Sequence, residues 1–199
     1  SAAKCIRVAK SAARTRSRGT RKAEHPQFTP ARVRPSWGTL VAVPFEVIQE
    51  SLIGGRKSNQ DRVGYAFAND SLLMVVADGM GGHQNGEIAA EIAVRVLIER
   101  FNREARIALS NPSHFLRVAL EAAHAAIGSY TRTHKLPDFP RTTCIACVVQ
   151  HKIAYWCHAG DSRLYLLRKG RLYKRTRDHS RVQRLIDAGL IREDQALTH

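Results

Sequence analysis

An aspartate at the end of an apolar run is the feature of this chain that points most clearly to chemistry. Residues 75–83 read VVADGMGGH, so a predicted buried strand runs into Asp78 and then into a glycine-rich turn. Gly79 has no side chain, which leaves its carbonyl oxygen accessible, and His83 follows a few positions later. One anionic oxygen, one backbone oxygen and a nearby imidazole suit a hard divalent cation. The segment therefore predicts a metal site.

Three further short segments carry polar groups that fit such a site. They are RKSNQD at 56–61, RTT at 141–143 and GDSR at 160–163. Taken alone, each group has an ordinary explanation. Asp78-Gly79 and Asp161-Ser162 are typical of turns, Arg56 of a solvated loop, and His83 of a surface turn. The occurrence of all the segments in one chain is what favours a shared site.

Two other kinds of chemistry are poorly supported. The GMGG stretch fits neither GxGxxG nor GxxxxGK, so nucleotide binding is a weak interpretation. Cys144 and Cys147 have the CxxC spacing of some zinc and redox sites. They lie, however, in TTCIACVV, which is typical of a strand, where residues three apart point to opposite faces. We interpret them as buried apolar thiols.

The hydrophobic pattern predicts the elements that position these groups. The predicted strands are 45–51, 62–68, 71–77, 142–150, 152–159, 162–168 and 171–175. The predicted helices are 86–104, a second from 111 or 113 to 133, and 179–188. The second helix is predicted to bury Phe115, Ala119, Ala122, Ala126 and Tyr130. Strands grouped by short turns favour antiparallel sheets with helices packed outside them, an α+β architecture.

The net charge of +15 is concentrated near the start of the chain. Residues 1–36 hold ten of the 32 lysines and arginines but one of the 17 acids. Because this segment shows neither helical nor strand periodicity, we predict a disordered basic arm at 1–36 and a folded domain at 37–199. The arm is interpreted as a solvated tail, a tether to acidic partners, nucleic acid or anionic membrane, or a transit peptide, since residues 1–23 lack acids.

Together the segments resemble the protein phosphatase 2C family of metal-dependent Ser/Thr phosphatases. The resemblance runs from about Phe45 to His199. It rests on RxxNQD, VVADGMGGH, GEIAAEIA, HAGDSRLYLLRKGRL and TRDHSRVQRLIDAGLI, which occur in the family's order. It implies a four-layer α-β-β-α sandwich of antiparallel sheets, incomplete at the C-terminal end. The implied activity is metal-dependent hydrolysis of phosphoserine and phosphothreonine in proteins.

The resemblance also implies a set of metal ligands. Asp78 would bridge two Mn²⁺ or Mg²⁺ ions, and the Gly79 carbonyl would bind one of them. Asp161 matches the position associated with a looser third ion. Gln60 stands where many relatives have glutamate, and it would contact an ion through water without adding charge.

Three residues are implied in catalysis. Arg56 would hold the substrate phosphate, for which its planar fork of donors is well matched. Asp61 would orient a water held by the metal. His83 would be the general acid that protonates the leaving Ser or Thr oxygen, a role suited to its ordinary pKa near neutrality.

The chain departs from the family pattern in its later part. No acid follows Asp194, so the family's late metal-binding aspartates are missing, and Arg141 replaces a more usual glycine. We expect a fragment of an active phosphatase, with weakened affinity for one ion and with impaired activity or folding when it is alone. The alternatives are a non-catalytic module that binds phosphoproteins or a kinase, and a nucleic-acid binder that uses the basic arm.

The partners expected from this reading are phosphoproteins made by a cognate Ser/Thr kinase. We expect a monomer with no specific nucleic-acid partner. No apolar run approaches the roughly 20 residues of a membrane span, and no secretory leader is evident. The default expectation for the compartment is therefore the cytoplasm.

Overall fold

A computed structural model describes residues 4–10, 45–52, 58–80 and 85–195. Its strands are β1 (Lys4–Lys10), β2 (Phe45–Ser51), β3 (Asp61–Phe67), β4 (Ser71–Asp78), β5 (Cys144–Gln150), β6 (Ile153–Ala159), β7 (Tyr165–Arg168) and β8 (Arg171–Arg175). Its helices are α1 (Gly86–Glu104), α2 (Pro112–Thr133) and α3 (Arg181–Asp187), followed by a 3₁₀ turn at Glu193–Gln195. Among the helices described, none is long and apolar enough to cross a bilayer.

A four-stranded antiparallel sheet, in the order β3-β4-β5-β6, forms the centre of the fold. The turn at Asn69-Asp70 joins its first two strands, as predicted, and the Ala68 amide donates to the Ser71 carbonyl at 2.8 Å. His151 and Lys152 join the last two strands with φ values of 49° and 65°. Two successive left-handed residues suit the tight turn of a twisted hairpin.

Helices α1 and α2 cover one face of this sheet, with α1 on β3 and β4 and α2 on β5 and β6. The approach of α1 depends on Gly64, since a Cβ there would come within 2.6 Å of Ile98 Cδ1 and 2.7 Å of Val94 Cγ1. Phe101 and Phe115 join the two helices, edge to face, with centroids 5.9 Å apart. The apolar core therefore lies between the helix pair and the sheet.

The start of α2 is confirmed, but its buried side is only partly as predicted. Phe115 and Ala119 are buried. The other buried residues are Pro112, Leu116, Ala123, Ile127 and Gly128, whereas the predicted Ala122, Ala126 and Tyr130 are half-buried. Ala126 and Tyr130 pack against the small cluster of Ala89, Ile92 and Ile127 that joins the two helices, and this cluster covers them only in part.

Two small antiparallel sheets, β1-β2 and β7-β8, complete the described fold. Phe45 of β2 contacts Phe67 with ring centroids 6.4 Å apart. Because Ala66 belongs to the helix-facing core, Phe67 lies on the opposite face of the sheet. Lys174 of β8 lies 5.3 Å from the ring of Trp156, which is on that same far face. Helices on one face and strands on the other confirm the α+β fold class.

The strand β1 lies in the segment that was predicted to lack regular structure, so that part of the prediction is wrong. Lys4–Lys10 pairs along its length with β2, in a register that places Val8 opposite Val47. Pairing with a partner distant in sequence supplies the backbone hydrogen bonds, which a local pattern does not reveal. The division of the chain between residues 36 and 37 stays a prediction.

Two strands, β5 and β7, begin later than predicted. β5 begins at Cys144 rather than 142, and Thr142 forms an isolated bridge with Gly79 instead. β7 begins at Tyr165 rather than 162, because the Leu164 amide donates to a side chain, the Thr176 hydroxyl, at 3.0 Å. The Thr176 amide in turn donates to the Leu164 carbonyl.

Candidate metal centre

Two carboxylates face each other at the edge of the central sheet. Asp61 begins β3 and Asp78 ends β4, and the antiparallel register places them directly opposite. The Gly79 amide donates to the Gln60 carbonyl at 3.1 Å, so the neighbouring residues form the hydrogen-bonded pair. The aspartates are therefore a non-hydrogen-bonded pair, whose Cα atoms are about 4.5 Å apart in such ladders. They project from the face of the sheet away from the helices.

This arrangement favours a cation between the two side chains. Asp61 is 3% exposed and Asp78 is half-buried. Two ionised carboxylates this close repel each other, and the repulsion strengthens as solvent is excluded. A divalent cation changes the sign of that interaction and uses the oxygen donors that hard cations prefer.

Local hydrogen bonds hold Asp61 in place before β3 begins. Its amide donates to Asn59 Oδ1 at 3.0 Å, and Asn59 Nδ2 donates to Ser51 Oγ at 2.9 Å. Arg62 Nη1 donates to the carbonyls of Asn59 and Asp61 at 3.1 and 3.0 Å. The loop preceding the carboxylate is therefore tied both to β2 and to itself.

Gly79 occupies a position that accepts no side chain. A Cβ on it would lie 2.5 Å from the carbonyl carbon and oxygen of Gly86 and 2.7 Å from the Gln60 carbonyl oxygen. The following amide, of Met80, donates to the Arg141 carbonyl at 3.0 Å. The main chain that follows Asp78 is thus enclosed by the 59–61 loop, the start of α1 and the residues before β5.

Gln60 offers an amide oxygen to this site. Its Nε2 donates to Glu87 Oε2 at 3.2 Å, whereas its Oε1 is buried and makes no hydrogen bond in the described part of the chain. A buried acceptor without a donor costs about 1–3 kcal/mol, which a bound water or cation would recover. This fits the predicted contact to an ion through water. Glu87 was not among the predicted site residues, although an acid in the first turn of a helix was a visible signal.

Thr143 joins the Asp78 strand to the loop that carries Asp161. Its hydroxyl accepts from the Asp78 amide at 3.2 Å, and its own amide donates to the Asp78 carbonyl at 2.8 Å. The same hydroxyl forms a hydrogen bond with Ser162 Oγ at 2.6 Å, in which either hydroxyl can be the donor. Thr143 is 3% exposed, so these contacts are sheltered from water.

The loop around Asp161 fits closely against this threonine. Gly160 has a φ of 99°, and a Cβ there would lie 2.7 Å from Thr143 Cγ2. The His179 amide donates to the Gly160 carbonyl at 2.9 Å, and the His179 ring stacks on His158 with centroids 4.1 Å apart. Asp161 itself is exposed. Across the described ranges, no three His, Cys, Asp or Glu side chains gather as a metal-binding group, so Asp161 does not join the Asp61–Asp78 pair in one cluster.

An ion pair fixes the segment that follows β8. Arg163 Nε and Nη2 donate to the two carboxylate oxygens of Asp178, both at 2.7 Å. These bonds hold the pKa of the Asp178 carboxyl below its usual range and raise the pKa of the Arg163 guanidinium. His158 is anchored beside them, with Nε2 at 2.7 Å from the Arg177 carbonyl oxygen.

Cys144, Cys147 and Cys157 do not form a competing metal site within the described part of the chain. Burial raises the pKa of Cys144 and Cys147 to about 12 and that of Cys157 to about 11. A thiol that stays protonated at neutral pH is a poor metal ligand. Cys144 lies in the core beneath the helices, and strand alternation places Cys147 on the other face.

The structure brings together some of the predicted site residues and leaves others untested. Asp61, Asp78, Gly79 and Gln60 meet at one corner of the sheet, and Asp161 connects to them through Ser162 and Thr143. Arg56 and His83 lie outside the described residues, so their roles stay predictions.

The chain has similar counterparts among known proteins. A family model described as Protein phosphatase 2C matches residues 48–182. The Serine/threonine phosphatase stp of Listeria welshimeri serovar 6b is 32% identical over 146 residues, which make up 72% of this chain and 58% of that protein. The Serine/threonine protein phosphatase PstP of Mycobacterium tuberculosis is 35% identical over 144 residues, 72% of this chain and 27% of that one.

Solved structures show the same similarity. The crystal structure of Serine/threonine phosphatase Stp1 from Staphylococcus aureus superimposes with a TM-score of 0.67 at 30% identity, covering 73% of this chain and 58% of that one. The catalytic domain of PstP in complex with 2 manganese ions gives a TM-score of 0.56 at 30% identity, covering 71% and 58%. The chain thus spans less than two thirds of the relatives' length. Since the family model alone spans more than half of it, the chain belongs to the protein phosphatase 2C family.

Proposed function

We propose that this chain takes part in the metal-dependent hydrolysis of phosphoserine and phosphothreonine in proteins. The observation that carries the proposal is the Asp61–Asp78 pair, directly opposed across β3 and β4 at the edge of the sheet. Support comes from relatives that are named Ser/Thr phosphatases. The proposed partners are phosphoproteins made by a Ser/Thr kinase, with the chain acting as a monomer.

Two divalent cations, manganese or magnesium, are the proposed cofactors. Asp78 and the Gly79 carbonyl would hold them, with Gln60 acting through water and Asp161 near a third position. The donors are carboxylate, carbonyl and amide oxygens, which fit hard cations better than soft ones. A related catalytic domain has been solved with 2 manganese ions. When bound, such ions supply charge neutralisation at the phosphate and a more acidic water.

The chain's own residues would position the reactants. The Asp61 carboxylate, held by the 59–62 hydrogen bonds, would accept a hydrogen bond from the attacking water and orient it in line with the leaving oxygen. Arg56 would bind two phosphate oxygens with its fork of donors. His83 would pass a proton to the leaving Ser or Thr oxygen as the ester bond breaks.

A non-catalytic module that binds phosphoproteins or a kinase is less well supported. Such a module needs no opposed carboxylates, whereas this fold retains Asp61 and Asp78 and builds hydrogen bonds around both. The close fit around Gly79 would also be unnecessary for a surface that only binds a partner.

Metal-dependent turnover tests the proposal. We expect the chain to release phosphate from a phosphothreonine peptide in the presence of Mn²⁺ and to bind Mn²⁺ by calorimetry. Asp78→Asn should abolish both, whereas Asp138→Asn, at an exposed loop position, should leave both unchanged. The proposal is wrong if the chain neither binds Mn²⁺ nor releases phosphate, or if Asp78→Asn retains full turnover.

A further inference from the structure

We propose that the β7–β8 hairpin is a docking site for an acidic segment of the phosphoprotein substrate, separate from the residue that is dephosphorylated. The inference rests on the proposed function and adds a substrate preference to it. It is drawn from the charge, exposure and geometry of the hairpin and from its connection to the loop of Asp161.

The hairpin lies in the most one-sidedly charged part of the described chain. Between residues 163 and 184 there are nine lysines and arginines and one acid, Asp178. That acid is engaged by Arg163, and Arg177 pairs with Asp187 further along. No acidic side chain of the described residues forms an ion pair with Arg168, Lys169 or Arg171. The end of the hairpin therefore carries three cations with no anion of the described chain to neutralise them.

The geometry of the turn brings these cations close together. Arg168 and Arg171 are directly opposite in the ladder, on either side of the tight turn formed by Lys169 (φ 51°) and Gly170 (φ 76°). Like charges directly opposite each other across a strand pair are destabilising. A carboxylate bound between the two guanidinium groups would reverse this interaction.

An exposed aromatic ring orients one of the two guanidinium groups. The Arg168 guanidinium carbon lies 4.9 Å from the centroid of the Tyr173 ring, and Tyr173 is 66% exposed. Stacking on an aromatic face leaves the guanidinium N–H donors available for a planar carboxylate. These residues line a cleft of about 500 Å³ together with Lys169, Arg171 and Leu172.

The hairpin is linked to the candidate site at its base. The Thr176 amide donates to the Leu164 carbonyl at 3.1 Å, and the next turn of chain reaches the Gly160 carbonyl through His179. Arg168 is seven positions after Asp161, so their Cα atoms lie at most about 24 Å apart. An extended peptide spans that distance in about seven residues, which predicts acids within that range of the phosphorylated residue.

An acidic peptide fits this surface better than a nucleic acid does. Single-stranded nucleic acids are bound by a groove in which several aromatic side chains stack on successive bases. The cleft offers one such ring, that of Tyr173, beside three cations. Several cations around one ring suit a short run of carboxylates.

Fluorescence anisotropy in EDTA, which prevents turnover, tests the inference without relying on catalysis. The probes are a phosphothreonine peptide with four glutamates six residues away and the same peptide with glutamines. We expect Arg168→Glu/Arg171→Glu to weaken binding of the acidic peptide roughly tenfold or more, a loss of about 1.4 kcal/mol. Arg103→Glu/Arg106→Glu, with the same charge change at exposed positions at and just beyond the end of α1, should have no effect. The milder Arg168→Gln/Arg171→Gln pair serves if the reversal impairs folding.

Several results would overturn the inference. They are equal binding of the two peptides by the unmutated chain, equal loss in the α1 control, and tighter binding of a single-stranded oligonucleotide than of the acidic peptide. Mn²⁺-dependent hydrolysis of an aryl phosphate is measured separately. Hydrolysis without a preference for the acidic peptide would refute docking alone, whereas docking without any hydrolysis would refute the proposed function.

Discussion

Asp61 and Asp78 are the terminal pair of an uninterrupted antiparallel ladder that begins at Phe67 and Leu72, beside the turn. Every pair between these ends is in register, so the length of the turn determines which residues are opposed at the site. Because side chains alternate between faces, a shift of one residue would move a carboxylate to the helix-covered face. The Asn69-Asp70 turn is therefore part of what forms the candidate metal centre.

The carboxylate pair predicts that metal binding stabilises the folded chain. A ligand that binds only the folded state adds about 2.7 kcal/mol at a concentration one hundred times its dissociation constant. We expect the melting temperature to rise with Mn²⁺, and both Asp61→Asn and Asp78→Asn to reduce that rise strongly. Thermal melts in EDTA and in Mn²⁺, with Asp138→Asn as the control, measure the effect. An unchanged rise in both variants would contradict the assignment.

The elements of this site differed in how far they could be predicted from the sequence. Helix α1 begins and ends at the predicted residues because its apolar spacing is a local pattern. Strand β1 was missed because it depends on pairing with β2, about forty residues later. How fully each residue of α2 is covered likewise depends on tertiary packing against α1 and the sheet.

The site residues show the same division. Asp78 and Gly79 were visible as an acid and a glycine at the end of an apolar run. The contacts of Thr143 with Asp78 and Ser162 join positions 65 and 19 residues apart. No local pattern reports such contacts, and the same holds for Gln60 and Glu87, which are 27 residues apart.

Thr143 is predicted to position the metal centre through its hydroxyl. Thr143→Val removes the acceptor for the Asp78 amide and the hydrogen bond with Ser162, which should cost about 1–3 kcal/mol of stability and weaken Mn²⁺ binding. Thr143→Ser keeps the hydroxyl and should retain most of the Mn²⁺ affinity. Urea unfolding and calorimetric titration measure the two effects. A purely structural role would show equal Mn²⁺ affinity in both variants at temperatures where each is folded.

Gly79→Ala should be disruptive for steric reasons. The new methyl group would lie 2.5 Å from backbone atoms of Gly86, and these atoms belong to the first turn of α1. Overpacking against main chain costs about 1–3 kcal/mol or more, and it should displace Asp78 along with it.

Gly128→Ala provides the matched comparison for that substitution. Gly128 lies inside α2, and a methyl group there would meet its neighbours no closer than 3.5 Å. Alanine in a helix interior is favoured over glycine by about 0.5–1 kcal/mol. We therefore expect opposite signs for the two glycine substitutions in denaturant unfolding. Tolerance of Gly79→Ala would show that the close approach of Gly86 to Gly79 is wrong. Destabilisation by Gly128→Ala would show that the space around Gly128 is wrong.

The Arg163–Asp178 pair predicts a defined loss of stability in acid. Hydrogen bonds from Arg163 hold the pKa of Asp178 below 3.8, its ordinary value. A carboxyl whose pKa is lowered in the folded state stabilises the fold at pH values above its ordinary pKa. This contribution is lost as the pH falls through the pKa of the folded state. We expect the contribution to be about 1 kcal/mol, as for a well-formed pair near the surface.

Asp178→Asn should therefore be less stable at pH 7 and should lose less stability between pH 5 and pH 2. Urea unfolding across that range, with Asp138→Asn as the control, measures the difference. Parallel pH profiles for Asp178→Asn and the unmutated chain would mean that the pair contributes nothing to holding the segment after β8 against the loop of Asp161.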